Sequence, residues 1–158
     1  MINSKNYNLE NLLNKIESLK DLQNYVGFTN GCFDLLHEGH IFLLNEAKKK
    51  CDFLIVALNS DKSIKLLKGE CRPIDIEKKR IAKLSSLESV DAIIVFTERT
   101  PYKLINKINP NILFKGSDYK VEDISGSELV MNNGGKVELI NILSGYSTTN
   151  IINNSNKS

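Results

Sequence analysis

The sequence predicts an α/β fold: a Rossmann-like, doubly wound sheet of about five parallel strands with flanking helices. Short apolar runs of strand length alternate with longer segments in which apolar residues recur every three or four positions. One of the runs, 53–58, is apolar throughout, as expected for a strand that a parallel sheet buries on both faces. Strands that alternate with helices at this spacing form a parallel sheet with right-handed crossovers.

The elements of the first half follow in order. Residues 8–22 are predicted to form an amphipathic helix, an N-terminal extension of the domain, because leucine and isoleucine recur there at helical spacing. The first strand is predicted at 25–29. The second helix is predicted at 41–50, where three final lysines suit a helix C-terminus. After the strand at 53–58, residues 59–73 are polar and lysine-rich, and we expect an irregular segment.

The second half continues the alternation. Asp75 is a candidate N-cap for a helix that runs to about residue 87. Pro101 suits the first turn of a later helix. The remaining predicted elements are strands at 92–96, 112–115 and 137–142, a short helix at 127–132, and a last helix at 150–153. The Asn- and Ser-rich tail after about residue 153 is expected to fray.

Length and composition indicate one domain, 1–158, with 41% hydrophobic and 25% charged residues. The net charge of +2 is too small to indicate a basic surface that binds nucleic acid. No apolar run approaches membrane-spanning length, and the first residues lack a signal-peptide core. The three cysteines show no CxxC spacing, which favours reduced thiols over a disulfide framework or a zinc site. We therefore expect a cytoplasmic protein that binds neither nucleic acid nor membrane.

The stretch after the first strand, 29–40, contains both histidines of the protein. Where a strand ends at a glycine and a helix begins soon after it, the first backbone N–H groups of the helix have no partners within the helix. This helix N-terminus favours the binding of phosphate. Two imidazoles on the same short loop add donors. The stretch predicts a site for nucleoside triphosphate chemistry at the carboxyl edge of the sheet. The alternative is a pair of ordinary structural histidines.

The pattern Gly31-x-Phe33-Asp34-x-x-His37-x-Gly39-His40 resembles the signature of the cytidylyltransferase-like nucleotidyltransferase superfamily. The resemblance implies that His37 and His40 are catalytic, contacting the triphosphate and stabilising charge on the α-phosphate. It also implies that Asp34 contacts the substrate. The nucleotide-binding residues that it implies in this stretch are Thr29, Asn30, Gly31, Cys32, Phe33 and Gly39.

The pieces Asn59-Ser60-Asp61, Leu67-Lys68-Gly69-Glu70 and Arg72-Pro73 resemble the matching stretch of sugar-phosphate adenylyltransferases that make nucleotide-activated heptose. Lys68 would then place a catalytic charge on the phosphates, and Arg72 would bind an anionic oxygen of the substrate. The alternative is a solvated basic loop. Arg80 stands where the superfamily keeps an arginine, so it is either substrate-binding or part of an exposed basic face.

Two further motifs resemble this family. Lys115-Gly116-Ser117-Asp118-Tyr119 is similar to its Lys-Gly-Gly-Asp-Tyr, with serine replacing the second glycine. Lys115 and Gly116 would bind nucleotide. Asp118 would hold substrate hydroxyls or a metal-bound water, or else cap a turn. The run 145–149 resembles the terminal motif, in which Ser147 and Thr148 would bind the γ-phosphate end or simply cap a helix.

The resemblance implies transfer of AMP from ATP to D-glycero-β-D-manno-heptose 1-phosphate by a stand-alone adenylyltransferase domain without a kinase half. The products would be ADP-heptose and pyrophosphate. It also implies Mg²⁺ held mainly through the nucleotide phosphates, with no metal site of the protein's own, and a homodimer. The alternatives are GTP or CTP with heptose phosphate, glycerol 3-phosphate or another polyol phosphate, and a non-catalytic nucleotide-binding regulatory module. Relatives specific for glycerol 3-phosphate carry arginine where this chain has Ile142, which argues against that substrate.

Overall fold

Five parallel strands form the sheet in the computed structural model of the protein, which describes residues 5–141. They are β1 (Val26–Gly31), β2 (Phe53–Asn59), β3 (Ala92–Phe96), β4 (Ile112–Gly116) and β5 (Lys136–Ile140). Their spatial order is β3-β2-β1-β4-β5, and every neighbouring pair is parallel. The predicted Rossmann-like fold class is confirmed.

Helices connect the strands and cover the sheet. They are α1 (Leu9–Asp21), α2 (Glu38–Lys48), α3 (Asp61–Lys68), α4 (Glu77–Ser85), α5 (Tyr102–Ile108) and α6 (Ser127–Asn132), with a 3₁₀ turn at Val121–Asp123. Within the described part of the chain, no helix combines the length and apolar character needed to cross a membrane.

The strand order reverses at β1, which fixes where a ligand can bind. The chain steps outward from β1 through β2 to β3 and then returns to the other side of β1 for β4 and β5. Gly27 of β1 accordingly has neighbours on both sides, Leu54 in β2 and Ile112 in β4. A crevice opens beyond the carboxyl ends of the strands at such a switch point, here between β1 and β4.

Two apolar clusters lie on opposite faces of the sheet. One includes Leu12 and Ile16 of α1 together with Phe28 of β1. The other includes Leu44 of α2 and Leu84 of α4. Since Leu12 is fully buried and Ile16 nearly so, α1 belongs to the core of the domain and is not an appendage. Every residue of β2 is buried, as its unbroken apolar run predicts.

The chain before α1 pairs with the outer edge of β3. The N–H of Tyr7 donates to the carbonyl of Ile93 at 2.9 Å, and the N–H of Ile93 donates to the carbonyl of Lys5 at 2.7 Å. Part of this edge strand is therefore covered, which reduces its capacity to pair with another chain.

Several predicted boundaries agree with the structure and others are wrong. The strand at 92–96 and the helix at 127–132 lie where they were predicted. The segment 59–73 is not irregular throughout, because α3 forms there, with Ile64 fully buried. Helix α2 begins three residues earlier than predicted, at Glu38. The last predicted helix, at 150–153, and the predicted end of the last strand lie outside the described residues.

Asp75 is not an N-cap. Helix α4 begins at Glu77, and its N-cap position is occupied by Ile76. The carboxylate of Asp75 instead pairs with Lys83 at 2.8 Å and Lys79 at 3.3 Å. The hydrogen bond from Lys83 is the main cause that lowers the pKa of this carboxyl, against an opposing effect of burial.

We expect Gly27→Ala to destabilise the fold by about 1–3 kcal/mol, because a side chain at this position overpacks the core. An added Cβ would lie 2.7 Å from Cys51 Sγ and 2.7 Å from Phe114 Cε2. Chemical denaturation measures the change in the free energy of unfolding. In a Cys51→Ala background one of the two clashes is relieved, so the same glycine substitution should cost less. An equal cost in both backgrounds would contradict this account.

Candidate active site

A cavity of about 210 Å³ opens at the carboxyl ends of β1 and β4, where the strand order reverses. Its walls come from five short segments of the chain. They are the end of β1, the loop that follows it, the first half of α2, the last residue of α3, and the end of β4 with the turn after it. The cavity is therefore built from the edge that the fold class predicts.

Most of the predicted site residues line this cavity. They are Thr29, Asn30, Gly31, Cys32, Phe33, Asp34, His37, Gly39, His40, Lys68, Lys115, Gly116 and Asp118. Arg72 and Arg80 do not line it, and Ser147 and Thr148 lie outside the described residues. Two lining residues were not predicted, Leu43 and Tyr119. Leu43 lies one turn after Gly39 on the same face of α2, and Tyr119 ends the motif that contains Lys115.

The two histidines cap α2. His37 is the N-cap residue, and its Nδ1 accepts the N–H of Gly39 at 3.0 Å. His40 Nδ1 accepts the N–H of His37 at 3.3 Å, which completes a capping box made of two imidazoles. Since each Nδ1 uses its lone pair as an acceptor, each neutral ring carries its proton on Nε2. The rings stack with centroids 3.8 Å apart and an angle of 26° between their planes.

Burial keeps both imidazoles neutral. Burial lowers the pKa of His37 and, more strongly, that of His40, to about 4. His37, once it is protonated, and the positive charge of Lys68 lower the pKa of His40 further, and the negative charge of Asp34 partly opposes them. The ring of Phe33 lies against His40, with centroids 5.2 Å apart. At neutral pH the site therefore presents two uncharged Nε2–H donors.

The loop between β1 and α2 holds two bulky residues in the left-handed backbone region, Phe33 at φ 47° and Leu35 at φ 53°. Such residues adopt this conformation only where their surroundings impose it. Asp34, between them, supplies an anchor, because its carboxylate accepts the N–H groups of Ile74 and Asp75, each at 2.8 Å. Burial raises the pKa of this carboxyl, but the bonds from Asp75 and Ile74 outweigh it and hold the pKa below its usual value.

Asp34 and Arg72, both predicted to contact substrate, also hold the structure around the cavity together. Asp34 lines the cavity, its two oxygens accept the backbone N–H groups of residues 74 and 75, and its side chain is 2% exposed. Arg72 points its Nε toward the same carboxylate at 3.4 Å and does not line the cavity. Their hydrogen bonds tie the segment before α4 to the loop before α2. Both residues therefore hold the loop, and their contact with substrate stays a prediction.

Arg80 does not lie on an exposed basic face, which was one of the two alternatives that the sequence left open. Its side chain is fully buried, so it belongs neither to an exposed basic face nor to the cavity wall. The guanidinium lies behind the wall, where it bonds to carbonyls of the loop after β1, the end of β2 and the segment before α4. Its lysine neighbours Lys78 and Lys79 are exposed, which is why the local sequence suggested a solvated face.

Two lysines bring positive charge to the cavity. Lys68 is the last residue of α3 and lines it directly. Lys115, in β4, donates from Nζ to the carbonyl of Asn30 at 2.8 Å and lies 4.9 Å from the ring centroid of Tyr119. Burial lowers the pKa of Lys115 to about 8, against the opposing influence of Cys32 and Asp118. Lys115 thus joins β4 to β1 across the switch point.

The fold and the cavity define a nucleotide-binding α/β domain, in which a helix N-terminus and two lysines meet at the switch point of a parallel sheet. The chain belongs to the cytidylyltransferase-like family, whose sequence profile matches residues 28–154. The family resemblance stated from the sequence motifs is confirmed.

A named relative supports the same family assignment. The bifunctional protein HldE of Nitrobacter winogradskyi is 54% identical over 127 residues, which make up 80% of this chain and 26% of that protein. The chain thus spans about a quarter of the length of the curated relatives that it matches.

Solved structures share the fold. The lipopolysaccharide core biosynthesis protein of Thermoplasma volcanium superposes with a TM-score of 0.61 at 32% identity, covering 75% of this chain and 96% of that one. Pantoate-beta-alanine ligase of Francisella tularensis superposes with a TM-score of 0.65 at 22% identity, covering 92% of this chain and 71% of that one, and shows the fold alone.

The lowered pKa of His40 predicts a specific loss of stability in acid. Below pH 6.5 the imidazole binds a proton in the unfolded chain, but in the folded protein it does so only near pH 4. Stability present above pH 6.5 is therefore lost as the pH falls toward 4. Thermal unfolding should show a steeper decline over this range in the wild type than in His40→Gln, since glutamine keeps a capping acceptor without titrating. Parallel declines would contradict the proposed burial of a neutral His40.

Proposed function

We propose that this protein transfers an adenylyl group from ATP to the phosphate of D-glycero-β-D-manno-heptose 1-phosphate, giving ADP-heptose and pyrophosphate. The observation that carries the proposal is the stacked pair of neutral histidines capping α2, in one cavity with Lys68 and Lys115. Family membership supports the reaction type. The heptose motifs, and a structural relative at 32% identity described as a lipopolysaccharide core biosynthesis protein, support a sugar phosphate as acceptor.

The reaction needs positioning and charge neutralisation more than acid–base chemistry. An oxygen of the sugar phosphate attacks the α-phosphorus of ATP, and the bond from that phosphorus to the bridging oxygen of the β-phosphate breaks. Pyrophosphate leaves with the electron pair. Because a phosphate monoester is largely ionised at pH 7, no general base is required. Holding the two phosphates in line is then the main task of the site.

The side chains of the cavity suit the charge that develops. His37 and His40 would donate from Nε2 to oxygens of the α- and β-phosphates, with the N-terminus of α2 behind them. Lys68 would offset charge on the attacking side. Lys115 would stabilise the nucleotide from β4, and Asp118 would accept hydrogen bonds from sugar hydroxyls.

Nucleotidyl transfer generally uses Mg²⁺, and the residues of the cavity fit a cation shared with the nucleotide. Among residues 5–141, no group of three or more His, Cys, Asp or Glu side chains is placed to hold a metal ion. Asp118 lines the cavity, and a carboxylate together with phosphate oxygens is a donor set that Mg²⁺ accepts. Bound mainly through the phosphates, Mg²⁺ would offset charge on the departing pyrophosphate.

The γ-phosphate end is assigned to Ser147 and Thr148 by their motif. β5, the last strand of the described residues, ends at Ile140 on the carboxyl edge that carries the cavity. We further propose that the protein acts as a homodimer in the cytoplasm.

The experiment that tests the function is pyrophosphate release by the purified protein with Mg²⁺. Each of ATP, GTP and CTP is combined with heptose 1-phosphate and with glycerol 3-phosphate. Release only with ATP and heptose 1-phosphate is the expected result. Turnover with another pair would overturn the substrate assignment and keep the reaction type. Nucleotide binding without turnover in any combination would favour a regulatory module.

His40→Ala should lower kcat by a factor of about 10² to 10³, the effect of losing one preorganised donor to the transition state. The matched control is Glu46→Gln in the same helix, which removes an ion pair with Lys49 outside the cavity and should leave kcat unchanged. Turnover of His40→Ala near that of the wild type, with an intact fold by circular dichroism, would show that His40 is not catalytic.

A further inference from the structure

Arg80 is the largest fully buried side chain in the described part of the chain, and it is a cation. A buried guanidinium is stable only when acceptors surround it. Its Nε donates to the carbonyl of Asp75 at 3.0 Å. One terminal nitrogen donates to the carbonyls of Cys32 at 2.9 Å and Asn59 at 2.7 Å. The other donates to the carboxylate of Asp61 at 2.7 Å.

Through Cys32, Arg80 takes part in a closed circuit of bonds around the strained loop. Arg80 bonds the carbonyls of Cys32 and Asp75, and the N–H of Asp75 donates to Asp34. Cys32 and Asp34 are the two chain neighbours of Phe33, so the circuit holds both sides of its left-handed backbone. The ring of Phe33 packs on His40. These contacts, the first branch from Arg80, thus lead through Cys32 and Phe33 to the histidine pair.

Through Asp61, Arg80 holds a second part of the site. Asp61 is the first residue of α3 and Lys68 is the last, so the ion pair lies at one end of the helix and the cavity at the other. Ser60 caps the same end, accepting the N–H of Ser63 at 3.1 Å. A helix of this length is about 12 Å long and rigid, so a shift at Asp61 carries over to Lys68.

We propose that Arg80 is a positioning residue that places the histidine pair and Lys68 relative to each other, by bonding the loop before α2 and the start of α3 from behind. The proposal rests on the proposed function. It extends that function to a residue that touches neither substrate, and it predicts an effect on kcat larger than the effect on KM for ATP.

The second branch, from Arg80 through Asp61 to Lys68, can be tested with a variant that is expected to fold. Asp61 is 36% exposed at its side chain, so Asp61→Asn removes the ion pair without emptying the core. We expect it to lower kcat by about 10- to 100-fold, the range for a catalytic group displaced by about 1 Å. In a Lys68→Ala background the same substitution should change kcat by less than about twofold, because the branch then has no catalytic group to place. A similar loss of kcat in both backgrounds, or none in either, would overturn the proposal.

The matched control is Glu138→Gln. Glu138 forms an ion pair with Lys50 outside the cavity, 2.6 Å long and with a carboxylate of similar exposure, 29%. It should leave kcat and KM unchanged. Arg80→Lys keeps the charge but cannot bond four acceptors, so it should lower kcat more than Asp61→Asn does. If Arg80→Lys does not fold, the Asp61 and Lys68 variants decide the question alone.

Amide hydrogen exchange across α3 gives a readout that needs no turnover. Asp61→Asn should speed exchange of α3 amides relative to the wild type and to Glu138→Gln. If the wild type releases no pyrophosphate in any substrate combination, the proposed function fails, and faster exchange still shows that Arg80 holds α3 through Asp61. Unchanged exchange would overturn the positioning role even in an active enzyme.

Discussion

The site depends on how the first backbone N–H groups of α2 are satisfied. A helix N-terminus leaves N–H groups without partners inside the helix, and short polar side chains usually accept them. Here two imidazoles do so, His37 for Gly39 and His40 for His37. The same bonds fix the tautomers, set the ring stack and direct Nε2–H away from the helix. Helix capping and the proposed phosphate binding are therefore two uses of one pair of side chains.

The sheet explains why this helix terminus lies where a nucleotide can reach it. Because β1 is central and the strand order reverses beside it, the loop after β1 faces the end of β4 across a crevice. Lys115 ties the two strands at that point through the carbonyl of Asn30. Phe33 and Leu35, both in the left-handed region, shape the short path from β1 into α2. The strain in this path is balanced by the bonds behind it.

The parts of the fold and site that could be predicted are those with a clear local pattern in the sequence. The strand at 92–96 and the helix at 127–132 have clear apolar periods, and the signature around His37 and His40 is continuous in the chain. Helix α3 was missed because its lysines and charges masked an inward face that includes only a few residues, such as Ile64.

The roles of Asp34 and Arg80 could not be read from the sequence, because their partners lie far away along the chain. Asp34 bonds the backbone 40 residues later, and Arg80 bonds a carbonyl 48 residues earlier. No local pattern shows that an arginine between lysines turns inward. Only the packed tertiary structure distinguishes a buried guanidinium that holds loops from one that meets a ligand. The sequence motifs locate the cavity, whereas the hydrogen bonds behind its wall are seen only in the tertiary structure.

The pairing of Lys5–Tyr7 with the edge of β3 also determines how this domain can be joined to something else. A linker, affinity tag or solid support attached ahead of Lys5 would meet the sheet beside β3, on the far side of β2 from β1. Two strand spacings, roughly 10 Å, separate that edge from β1 and the crevice. An attachment through this end therefore meets the sheet two strands away from the crevice, which suits surface immobilisation and fusion design.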